Sequence, residues 1–170
     1  NSTSNTYELK LDKPEVAGRV QIRVIEKQNV SEFVFHWSGA LDDNASREVC
    51  FHYAYNRAKW YNLYQSTTKE WPMDVKKSLD KIPCNYIHYL EDKYEFMLYI
   101  EEQLYLNTDG FALLLDRDAP LFVEKKLNED PQMCFSVEAS LPYSTNASVV
   151  EGYLDLKYTI VAGTNIRTGK

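Results

Sequence analysis

Apolar side chains recur at every second position in segment after segment of this chain, and that period is the strongest constraint on its fold. A strand turns successive side chains to opposite faces, so a period of two builds one buried face and one open one. Val20, Ile22 and Val24 alternate with Gln21 and Arg23; Phe33, Phe35 and Trp37 alternate with Val34 and His36; Val49, Phe51, Tyr53 and Tyr55 alternate with Cys50, His52 and Ala54. Each reads as a half-buried antiparallel strand. The pattern continues through Phe96, Leu98 and Ile100; Leu104 and Leu106; Phe111, Leu113 and Leu115; Met133, Phe135 and Val137; and Leu154, Leu156, Tyr158 and Ile160. At least eight strands result.

The separators are short and carry turn chemistry: Ser38-Gly39 with Asp42-Asp43-Asn44, Glu101-Glu102, Asn107-Thr108-Asp109-Gly110, Asn128-Glu129-Asp130-Pro131 and Ser144-Thr145-Asn146. Many short strands at this spacing predict an all-β fold, a two-sheet antiparallel β-sandwich or a barrel. Only Asp74 to Leu79 has the character of a helical turn, and the interval from Lys69 to Asn85 reads otherwise as loop. No repeat or linker divides the 170 residues, so a single domain over 1–170 is expected, with residues 1–6 frayed.

Charge and cysteine usage narrow the function. Nineteen Lys and Arg against 25 Asp and Glu leave a net charge of −6, which gives no basic field for a phosphate backbone or an acidic membrane surface. Apolar runs such as Phe111 to Leu115 fall far short of the ~20 residues that cross a bilayer. Nucleic acid and membrane insertion are therefore not expected. Sequons begin at Asn1, Asn29, Asn44 and Asn146, where 11 asparagines would give about one or two by chance. The excess predicts N-glycosylation and an extracellular address, either secreted or as the ectodomain of an anchored protein. No signal peptide opens the sequence, so a mature or trimmed chain is expected.

Cys50, Cys84 and Cys134 are odd in number, which permits at most one internal disulfide and leaves a third thiol; the pairing is open at this level. Neither their spacing nor that of His36, His52 and His88 matches a metal-binding pattern, so no metal or other cofactor is expected. Asp42-Asp43, Glu91-Asp92 and Glu101-Glu102 sit in predicted turns as solvated charge, and no Gly-x-Ser-x-Gly motif occurs. The chain reads as a binding domain and not as an enzyme. Tyr53, Tyr55, Trp60, Tyr61 and Tyr64 crowd one hairpin, a density that suits sugar stacking, a protein interface or core filling alike.

The most specific stretch runs from Arg47 to Lys76: CFHYAYNR over Cys50 to Arg57, a strand ending Gln65-Ser66, then WPMDVK over Trp71 to Lys76. It resembles the galectin family, whose sugar-binding signature runs H-x-N-x-R, then V-x-N, then W-G-x-E-x-R. The run from Lys93 to Leu121 and the segment opening Ala17-Gly18-Arg19-Val20 are similar to other strands of that family, so the likeness spans about four fifths of the chain. It implies a galectin-like jelly roll that binds a glycan or glycoprotein on its concave sheet face. It also implies that His52, Asn56, Arg57, Gln65, Trp71, Asp74 and Lys76 line the site.

A galactoside offers hydroxyls on one side and an apolar patch of C–H groups on the other, so it calls for a planar aromatic beside rigid polar groups. Trp71 supplies the aromatic, and His52 lies opposite in parity to Phe51 and Tyr53, which turns it outward. Ala54 replaces the family's Asn, Asn56 its Arg with Arg57 one step later, and Gln65 its second Asn; Pro72, Asp74 and Lys76 stand where Gly, Glu and Arg are usual. These exchanges remove an amide and a bidentate guanidinium, which implies altered or weakened β-galactoside specificity. A receptor or adhesion ectodomain that keeps the sandwich and binds a protein is the alternative function. Laminin-G-like and legume-lectin-like sandwiches are structural alternatives with the same period.

Overall fold

The computed structural model describes residues 2–13, 16–39, 46–52, 59–62, 79–84, 103–108, 110–116, 119–126, 131–140 and 154–163. Among these, the only regular elements are strands. β1 (Thr3–Lys13), β2 (Val16–Lys27) and β3 (Val30–Ser38) follow one another as a meander, with Gln28 and Asn29 as the turn between the last two. β4 (Ser46–His52), β5 (Trp60–Asn62) and β6 (Leu79–Pro83) come next. β7 (Leu104–Asn107) and β8 (Phe111–Leu115) form a hairpin. β9 (Leu121–Lys126), β10 (Gln132–Glu138) and β11 (Leu156–Gly163) close the series.

Every pairing is antiparallel, and the strands assort into two sheets. One runs β1-β2-β3-β11-β8-β7-β5 and the other β4-β10-β9-β6. Consecutive strands often belong to different sheets, as from β3 to β4 and from β8 to β9. The chain thus stitches the two layers together, and the expected all-β sandwich is the fold.

The core lies where the period-two faces of the two sheets meet. Trp60, Tyr105, Leu113, Leu115 and Leu156 come from the larger sheet, and Leu121, Val123, Met133, Phe135 and Val137 from the smaller. Phe51 sits across the junction, its ring centroid 6.1 Å from Trp60, 6.2 Å from Phe111 and Phe135, and 6.4 Å from Tyr158. Tyr105 meets Phe135 edge-on at 4.7 Å. Such tilted aromatic pairs each add about 0.5–1.5 kcal/mol beyond area burial, so this cluster ties one layer to the other. Trp60, one of the crowded aromatics of its hairpin, is wholly a core residue.

The hairpin between β7 and β8 turns at Gly110, whose φ is +98°, and Gly110 N donates to Asn107 O at 3.1 Å. Glycine is the residue for that conformation, which is why the Asn-Thr-Asp-Gly run reads correctly as a turn.

β1 pairs along its whole length with β2, from Thr3 opposite Glu26 to Lys13 opposite Val16. Two expectations are corrected. The loop expected over Lys69 to Asn85 contains β6, whose register against β9 shifts between Leu79 and Ile82 and which ends on Pro83. Irregular pairing and a proline suit a sheet edge and blur the alternation that would have betrayed it. β9 has no counterpart among the expected strands because Leu121, Phe122 and Val123 are all buried, so the strand reads as a continuous apolar run. The predicted strand at Phe96 to Ile100 and the acidic pairs Asp42-Asp43, Glu91-Asp92 and Glu101-Glu102 lie outside the described residues, as does the helical turn expected over Asp74 to Leu79 except for Leu79, which opens β6.

Candidate functional site

Of the seven residues assigned to the candidate site, His52 is described. Asn56, Arg57, Gln65, Trp71, Asp74 and Lys76 lie outside the described residues. His52 ends β4 and is exposed, while Phe51 beside it enters the core. The alternation therefore places the imidazole on the outer face of the four-stranded sheet, as its parity required.

That face can be built row by row from the register. His52 stands opposite Gln132, which stands opposite Lys126; Cys50 stands opposite Cys134, which stands opposite Glu124; Glu48 stands opposite Ser136, which stands opposite Phe122. Side chains directly opposite in antiparallel strands are neighbours, with Cβ atoms about 4.5–5.5 Å apart. Phe122, Cys134 and Ser136 are nonetheless buried, and Lys81 Nζ lies 5.5 Å above the Phe122 ring. The open part of the face is thus the end that carries His52, Gln132 and Lys126.

Lys126 organises the charge there. Its Nζ donates to Glu48 Oε1 at 3.0 Å and Oε2 at 3.2 Å and pairs with Glu124 Oε2 at 3.5 Å. The hydrogen bond to Glu48 is the main reason its pKa is raised. Both partners remain partly in solvent, so the pair adds only about 0.2–1 kcal/mol of stability. Its larger effect is to hold an ammonium and two carboxylates over a rigid strand lattice.

Cys50 and Cys134 are joined in a disulfide across β4 and β10, which resolves the pairing that three cysteines left open. A Glu48 carboxylate oxygen and the two sulfurs lie within 4.8 Å of one another. In the disulfide the sulfurs are not thiolates, so this trio is not a metal centre as it stands. The third cysteine, Cys84, is buried; desolvation pushes its thiol up to about 12, with a hydrogen bond to Tyr105 acting weakly the other way. It is an inert core group.

One polar residue that sequence reasoning passed over is Arg47, which is 1% exposed. Its Nη1 donates to Leu154 O at 2.6 Å and its Nη2 to Gly39 O at 2.5 Å. Burial lowers its pKa, and the charge of nearby Asp155 opposes that shift. Asp155 in turn holds His36, with Oδ2 2.7 Å from Nε2. The cluster clasps the end of β3 and the entry to β11 onto the inner face of β4. Parity was the available signal, since Arg47 shares the inward face of Val49 and Phe51.

Among the sequons, Asn29 is described: it is exposed in the turn between β2 and β3. Asn1, Asn44 and Asn146 lie outside the described residues. No protein-family model matches the chain, and a search of curated proteins finds no match.

Proposed function

We propose that this chain is an extracellular recognition domain that binds a glycan through the open end of the outer face of its four-stranded sheet, in the manner its likeness to galectins implies. The observation that carries the reading is the position of His52: exposed at the end of β4, opposite Gln132, in the same cross-strand row as Lys126, and backed by Phe51 in the core. An imidazole, an amide and a fixed ammonium–carboxylate pair offer donors and acceptors on a rigid frame, which is what hydroxyl recognition needs. An extracellular address accords with the Cys50–Cys134 disulfide and with a sequon asparagine exposed in a turn at Asn29.

The test is a glycan array probed with the secreted, glycosylated protein, followed by titration of the strongest hit with lactose as competitor. His52→Ala and Trp71→Ala should each abolish binding and leave the melting temperature nearly unchanged. No signal on any glycan would overturn the reading.

A protein partner is favoured by a different observation. Leu106 and Leu114, 39% and 42% exposed, share the outer face of the seven-stranded sheet across neighbouring strands. Binding of a protein that Leu114→Lys abolishes, beside an empty glycan array, would establish that alternative.

A further inference from the structure

The outermost strand of the larger sheet presents an edge that is long, open and matched to itself. β1 is 11 residues long and pairs on one side with β2, while among the described residues no strand lies on its other side. Residues 2 to 10 are exposed. Among the described residues the other sheet edges are shorter: β5 has 3 residues, β4 has 7, and β6 has 5 with an irregular register and a terminal proline. Long open edges are templates for another strand, and short or irregular ones are not.

The side chains of β1 point to the same conclusion. Tyr7 and Leu9 are 55% and 54% exposed. They share the face of Val20 and Ile22, their partners in the register. That face continues from the core side of the sheet at Phe35 and Trp37, so it is an apolar shelf with an uncovered rim. On the opposite face, Lys10 stands directly across from Arg19, a like-charge pair, while Arg19 Nε turns to Glu8 Oε1 at 3.0 Å. Lys10 has a like charge on its paired side, and its other side is the open edge.

We propose that two copies of this chain associate through β1, antiparallel, about a two-fold axis at Leu9, joining their larger sheets into one. In that register Leu9 meets Leu9 of the second copy, Glu8 meets Lys10, and Lys10 meets Glu8. Residues directly opposite in antiparallel strands lie on one face, so the two apolar rims become continuous and each Lys10 gains a carboxylate directly opposite. Moving the axis to Glu8 would set Glu8 against Glu8, and moving it to Lys10 would set two ammonium groups together. An axis at Leu11 would also give Lys10 a carboxylate, at Asp12, but would set Leu9 against Lys13 and break the apolar rim, so charge and apolar continuity together select the axis at Leu9. The interface is isologous, as a closed dimer requires.

Sedimentation velocity of the full chain over a range of micromolar concentrations reads the state directly. The wild type should sediment as a concentration-dependent dimer. Lys10→Glu places carboxylate against carboxylate at both symmetric positions, and Glu8→Lys places ammonium against ammonium; each should weaken association by about tenfold or more. Circular dichroism and thermal melts would establish that both variants remain folded, since Glu8→Lys also removes the Arg19 partner. Mixing the two variants in equal amounts sets the two carboxylates of one chain against the two ammonium groups of the other, and should restore the dimer as a heterodimer. A wild type that stays monomeric throughout, a dimer indifferent to both reversals, or a mixture that fails to reassociate would each overturn the proposal.

Discussion

Removing the Cys50–Cys134 disulfide offers the sharpest test of how this sandwich is stabilised. The bridge joins positions 84 residues apart, and β4 and β10 are already paired from Gln132 opposite His52 to Glu138 opposite Ser46. In the chain-entropy description the cross-link acts mainly on the unfolded state, by −2.1 − 1.5R ln n cal/mol/K. For a loop of 84 residues this comes to about 4.5 kcal/mol at 25 °C. Cys50→Ala with Cys134→Ala should therefore lower stability by about 4–5 kcal/mol and the melting temperature by about 10–18 °C. Cys134 is buried, so the double variant also loses the burial of its sulfur, a loss the reduced wild type does not suffer. Urea unfolding of oxidised wild type, reduced wild type and double variant separates the two contributions. Both altered forms should also show a larger m-value, because an unlinked denatured chain exposes more surface. A loss below about 1 kcal/mol with an unchanged m-value would refute the reasoning.

Arg47→Met should destabilise the fold by about 2–4 kcal/mol in thermal or urea unfolding, because buried Leu154 O would be left without its donor and the part-buried bond to Gly39 O would also be lost. Arg47→Lys should recover little, since one ammonium lacks the fork that reaches both carbonyls. Because the folded thiol of Cys84 is held up to about 12 against an ordinary 9.0, its contribution is fully present below pH 9 and is lost as the pH rises toward 12. Cys84→Ala should flatten that alkaline limb of a stability-versus-pH curve, and an unaltered limb would count against the assignment. Gly110→Ala should cost about 1–2 kcal/mol: φ is +98° there, and an added Cβ would meet Gly163 O at 3.4 Å, so strain and not collision would dominate the measured loss.

Alternation along the chain was enough to determine that this protein is all-β and which way many side chains point. Phe51 inward and His52 outward, Leu113 inward and Leu114 outward, and the turn at Gly110 all follow from a two-residue period and one backbone requirement. These are local properties, decided within a few residues. The tertiary structure decided what depends on which strands become neighbours. Cys50 pairs with Cys134, and not with Cys84, because β10 brings its cysteine opposite β4 in register. β9 disappears from the alternating pattern because both of its faces are covered where Leu121, Phe122 and Val123 lie. Trp60 becomes core because β5 closes one edge of the larger sheet over Phe51 and Phe111. Arg47 is tolerated inside because the carbonyl of Leu154, 107 residues away, arrives to receive it beside that of Gly39 at the end of β3. Strand pairing is set by contacts far apart in sequence, and a periodicity read along one strand carries no record of its neighbour.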